Sequence, residues 1–199
     1  MNTSLIQNMI RAAKLDVDFY NAVEHDESKS QEALIVVIIA AVAMAINNGI
    51  SGFLALLLGS FTGIQVMGPL SVIVNVVVGL IAVVVGYYLW SYLTYFIGTR
   101  LFGGEAEPGE VLRTFGYAYS PQVLTVLGFI PCLGWLIILA AGIWSLIAGI
   151  IAIREAMDFD TVKALLTAGI AWLVVFILNW AVQATLGLSL AGFGTFLGG

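Results

Sequence analysis

"LFGGEAEPGEVLRTFGYAYSPQVLTVLGFIP", residues 101–131, joins a charged half to an apolar one. The first half carries Glu105, Glu107, Glu110 and Arg113, whereas the second, 117–131, is fifteen residues without a formal charge. A helical membrane crossing takes about 20 residues, so this second half is short for one. Whether it crosses nonetheless determines the side of the membrane on which every later charge lies.

Composition supplies the membrane. The 199 residues are 61% hydrophobic and 10% charged, with mean hydropathy +1.05, whereas soluble domains carry charge on roughly a quarter of their residues. The length accommodates about four to six spans with short connections, hence a single membrane domain. The chain has one cysteine, Cys132, which can form no internal disulfide and lacks the neighbours of a metal site. The charged first 30 residues do not read as a secretory leader. A net charge of −5 argues against nucleic acid, which is bound chiefly by Lys and Arg.

Outward from the opening stretch, four more segments read as spans. Residues 32–48 form the first, ended by Asn47, Asn48 and Gly49, because Asn-Gly is turn chemistry and adjacent amides are unwelcome in hydrocarbon. The following apolar, glycine-broken piece to residue 69 then connects on the far surface. Residues 70–98 form a long second span closed by an aromatic belt of Tyr87, Tyr88, Trp90, Tyr92 and Tyr95. Within 117–131, Pro121 restricts Ser120 and suits a helix restart. Residues 133–153 and 162–185 complete the set. Residues 1–30 read as an amphipathic helix, with Ser4 and Gln7 at capping-box spacing.

Lys and Arg set the orientation. Three precede the first span, Arg100 and Arg113 follow the second, Arg154 and Lys163 lie between the last two, and the other connections have none. Five crossings put all seven basic residues on one face, which the positive-inside rule names cytoplasmic; four would strand Arg154 and Lys163 outside. The expected fold is an all-α polytopic helix bundle with five transmembrane helices, N-terminus cytoplasmic and C-terminus outside. The acidic residues follow the same partition, giving the inner face an acidic character.

"AAKLDVDFYNAVEHDES", "LTYFIGTRLFGGEAEPGEVLRTFGYAYSP" and "GFIPCLGWLIILAAGIWSLIAGI" together resemble the prokaryotic branch of the Yip family, the Ypt-interacting proteins. The resemblance is most specific at "FGYAYSP" and the following "IP". It implies five spans with a cytoplasmic N-terminus, in agreement with the charge count. Eukaryotic members associate with Rab-type GTPases. This chain lacks their long N-terminal region and their Asp-Leu-Tyr-Gly-Pro element, so a GTPase partner is not carried over.

Two candidate sites follow. Arg113, Tyr117, Tyr119, Ser120, Pro121 and Gln122 could form a polar groove at the helix break, with Arg113 at its mouth. Glu105, Glu107, Glu110, Glu155 and Asp158 could form an acidic docking face. Asn75, Ser91, Thr94, Ser145, Thr167, Asn179 and Gln183 lie within spans and none is ionisable, whereas proton-coupled transport uses an ionisable group at depth. Ala141, Ser145, Gly149, Ala148 and Ala152 make a small-residue stripe for close helix contact within the chain. His25 beside Asp26 and Glu27 lacks spaced metal ligands. No catalytic constellation, cofactor or metal is expected. The leading function is a non-enzymatic organiser or adaptor in the cytoplasmic membrane of a prokaryote, meeting lipids, itself or another membrane protein. The alternative is permeation or lipid handling through the groove near Pro121.

Overall fold

The computed structural model describes the backbone of residues 3–62 and 68–197, and their side chains except at 3, 60, 62, 179 and 182–197. Asn179 and Gln183 therefore lie outside the described side chains. Among the described residues the secondary structure is helical, without strands.

The N-terminal region is two helices rather than one. Helix α1 (Thr3–Ala13) and helix α2 (Val17–His25) are separated by a turn in which Leu15 takes φ 61°. Asp16 makes the break: its carboxylate accepts from the Phe19 N–H at 3.1 Å, capping α2, and from Arg11 Nε at 2.7 Å. Ser4 lies within α1 rather than ahead of it.

A 3-10 turn, Glu27–Lys29, leads into α3 (Ser30–Thr62). This helix passes straight through Asn47, Asn48 and Gly49, where the sequence suggested a stop. At about 1.5 Å per residue it is about 50 Å long, well beyond a hydrocarbon core of about 30 Å. The two amides differ: Asn47 faces protein, whereas Asn48 is exposed. Asn47 is buried and accepts from Ser51 Oγ at 3.4 Å, and Asn48 Nδ2 lies toward Gly79 of the next helix. That helix, α4 (Pro69–Phe102), is as long, and Gly103 ends it with φ 68°. A left-handed residue at a helix end favours glycine.

Helix α5 (Pro108–Ala118) begins with Pro108, and the Glu107 N–H donates to Glu110 Oε2 at 2.8 Å. The predicted break at Pro121 is present, but the chain continues from Ser120 to Phe129 as 3-10 rather than α-helix. Hydroxyls occupy carbonyls along it: Ser120 Oγ donates to Tyr117 O at 2.7 Å and Thr125 Oγ1 to Gln122 O at 2.6 Å. This run packs between α3 and α6 (Gly134–Ala156). Helix α7 (Thr161–Leu197) follows and continues past residue 185.

The core sits at one end of the bundle. Phe19, Tyr20 and Val23 of α2 meet Val36 and Val37 of α3, Tyr87 of α4, Val111, Phe115 and Tyr117 of α5, and Ala148, Ala152 and Ile153 of α6. At that same end Phe102 of α4 lies 6.4 Å, centroid to centroid, from Phe159, over which Lys163 of α7 also stands. Away from it the helices turn apolar side chains outward; Phe61 is 85% and Leu70 74% exposed. Only lipid suits such a surface. Four helices, α3, α4, α6 and α7, are long and apolar enough to cross a membrane.

Candidate functional site

The six residues expected at the groove divide into two groups. Arg113 is buried, not at a mouth: its guanidinium donates to the Val23 carbonyl at 3.2 Å and to the Glu24 carbonyl. These are last-turn carbonyls of α2; Val23 O also accepts from the Asp26 N–H at 3.3 Å, and Arg113 adds a second donor there and ties α2 to α5. The α1 end is held alike, with Trp144 Nε1 donating to Ala13 O at 2.6 Å and Tyr20 OH to Ala12 O at 3.4 Å. Tyr117 is fully buried, edge-on to Phe19 at 5.0 Å, with its hydroxyl toward Glu32 and Asn8. Ser120 and Pro121 are buried in the turn itself.

Tyr119 and Gln122 do reach a cleft. One lobe of ≈ 270 Å³ lies between α4, α6 and α7, floored by Gly142, Ser145 and Gly149 and walled by Trp90, Phe115 and Trp172. A second, of ≈ 350 Å³, runs along α4 past Leu89, Gly86 and Ala82 to Met44 of α3. Trp90, Tyr119 and Gln122 line both. No lining residue of either lobe among the described residues carries a formal charge. The small-residue stripe of α6 has two roles: Ala141, Ala148 and Ala152 are fully buried inside the chain, while Ser145 and Gly149 leave the hollow.

The acidic residues converge on a group that sequence reasoning passed over. Glu24 is buried; its Oε1 lies 3.2 Å from His25 Nδ1 and accepts from Asn21 at 3.3 Å, while Oε2 has no partner among the described residues. Burial pushes its carboxyl up to about 7, His25 opposes this, and Asp158, Glu110 and Glu155 add to the rise. Glu155 pairs with Arg154 at 2.7 Å. Glu105 and Glu107 are exposed and do not join this group. The spacing from Tyr20 to Glu24, one helical turn along the apolar side of α2, was the available signal. No group of three His, Cys, Asp or Glu among the described residues could hold a metal ion.

A helical bundle whose apolar surface faces outward, with an uncharged cleft and its ionised groups gathered at one end, defines a polytopic membrane protein. The Yip1 domain family model matches residues 17–182, and the chain belongs to that family. A search of curated proteins and one of solved structures each returned no match.

Proposed function

We propose that this Yip-family protein is a non-enzymatic organiser or adaptor of a prokaryotic cytoplasmic membrane, with five crossings and an acidic inner end that meets partners. The observation that carries the reading is the fastening of α1 and α2 onto the bundle by Arg113 and Trp144. Loose N-terminal helices would only shield this end; fixed ones place Glu24 of α2 beside Glu110 of α5 and Glu155 and Asp158 of the α6 end.

Support for five crossings comes from the same end. The C-terminal ends of α4 and α6 meet there through Phe102 and Phe159. If α6, about 34 Å long, crosses the membrane, it starts on the far face, so the chain between α4 and α6 must itself cross. The 3-10 run, about 20 Å at about 2 Å per residue, carries it most of the way.

A photo-crosslinking amino acid at Glu105 or Glu107 tests the adaptor reading. Adducts with a discrete membrane or soluble protein are expected, lost at high salt and when Glu110, Glu155 and Asp158 are changed to Lys. Adducts indifferent to those charges would reject it. The two-lobed cleft favours a second reading, lipid handling at the Pro121 break.

A further inference from the structure

The two lobes meet at a shared waist of Trp90, Tyr119 and Gln122, on the bundle side of the core at the charged end. Trp90 is ten residues before Arg100 on α4, about 15 Å along the helix. Ser145 is nine residues before Arg154 on α6, about 14 Å. Trp144, next to Ser145, donates to the Ala13 carbonyl at 2.6 Å, so this part of the crevice lies just beneath the N-terminal helices. From there one lobe runs back toward Ile153 at the charged end, and the other runs on toward Ala82, about 27 Å from Arg100.

The waist is polar without being charged. The Gln122 side-chain amide makes no hydrogen bond to another described residue, and Ser145 Oγ is enclosed with no partner among them. Both side chains line the hollow, together with the Tyr119 phenol and the Trp90 indole. Buried polar groups are ordinarily satisfied, and in hydrocarbon water is not at hand to do it. The hollow is also not a packing accident of bulky neighbours: a Cβ on Gly142 would meet no atom within 4 Å.

We infer that this crevice binds a neutral lipid, one with an uncharged oxygen head, hydroxyl or carbonyl, hydrogen-bonded by Gln122 at the waist and Ser145 in the adjoining lobe, and an aliphatic tail along a lobe. The inference rests on the lipid-handling reading and narrows it. A phosphate-bearing head fits badly, because no cation lines either lobe to balance it. Diacylglycerol, polyprenols and isoprenoid quinones share the required chemistry and differ in their tails.

The experiment uses the full chain in nanodiscs of a zwitterionic phospholipid. It employs three diazirine-tailed probes, a diacylglycerol, a polyprenol and a quinone, with unlabelled lipids as competitors. Labelling is expected on peptides containing Trp90, Gln122 or Ser145. Unlabelled neutral lipid of the same tail should compete at least tenfold better than phosphatidylcholine or phosphatidylglycerol. Gly142→Leu, which fills open space, should cut labelling at least tenfold with the unfolding temperature retained, and Gln122→Leu severalfold. The probe that labels best identifies the tail. If Gly142→Leu abolishes labelling but phospholipid competes equally, the neutral-head inference is overturned while lipid handling stands. If Gly142→Leu leaves labelling of these peptides unchanged, or no probe labels them, both fall.

Discussion

Glu24 is the residue whose setting is least comfortable, and discomfort of this kind depends on pH. Its folded carboxyl titrates at about 7 against an ordinary value of 4.5. The fold therefore holds a proton that the unfolded chain releases earlier, so the stabilisation is complete below about 4.5 and fades as pH rises toward 7. His25 adds a contribution of the same sign, since its bond to the Asn21 carbonyl and the nearby Glu24 raise it above 6.5. Hydrogen exchange of α2, corrected for intrinsic rates, should show greater protection at pH 5 than at pH 8, and Glu24→Gln should flatten most of that difference. An unaltered slope in the variant would remove Glu24 as the cause. Arg113→Met, on the other side of the same contact, removes the guanidinium donor from the Val23 and Glu24 carbonyls and leaves Val23 O only the Asp26 N–H. Lost hydrogen bonds to a charged group cost about 1.5–3 kcal/mol, and the loss should appear as faster exchange across α1 and α2 while α6 is unaffected.

Among the elements, α5 is positioned by the absence of a side chain. A Cβ on Gly116 would stand 2.7 Å from Ala33 Cβ and 2.9 Å from the Ala33 carbonyl oxygen, so α5 crosses α3 nearly backbone to backbone. Even Gly116→Ala must push the helices apart; overpacking typically costs about 1–3 kcal/mol. A lower midpoint in detergent-denaturant unfolding is expected, whereas Gly142→Ala, with open space before it, should leave the midpoint in place. The glycine in "FGYAYSP" was legible as part of a family resemblance, but its partner was not, since Ala33 lies some eighty residues earlier. The break at Pro121 was legible for a local reason, the missing N–H and the restricted preceding residue. That the chain then runs as 3-10 was not, because the hydroxyls of Ser120 and Thr125 bond to carbonyls in ways a periodicity does not encode. The same limit explains Asn47 and Asn48. Their sequence neighbours said turn, while the helix continues with Asn47 buried beside Ser51 and Asn48 exposed. Tyr119 and Gln122 line a cleft near the break, while Arg113 is drawn away from it because its partners lie ninety residues away in α2.

At the scale of the molecule the decisive property is the separation of ionised from apolar groups. Arg11, Lys14 and Lys29 precede α3, Arg100 lies in the last turn of α4, Arg113 within α5, Arg154 in the last turn of α6 and Lys163 in the first turn of α7. The core built by α1, α2 and α5 covers that end. The opposite end carries the turn between the 3-10 run and α6, where Cys132 is exposed with φ 65°. This turn and the Asp158 turn terminate α6 at its two ends, so one helix separates them by about 34 Å. Five crossings put Cys132 outside and Asp158 inside. The native thiol should then react with a membrane-impermeant maleimide on intact spheroplasts. In a Cys132→Ser background, Asp158→Cys should react only after permeabilisation. The reverse pattern would mean the whole bundle is inverted, and labelling of both from one side would mean that α6 does not cross. Either result would move the acidic groups around Glu24 away from the cytoplasm, or detach them from a single face, and the adaptor reading would lose its surface. The uncharged cleft would keep its depth only under inversion, because its waist is measured from the ends of α4 and α6, whichever way they point.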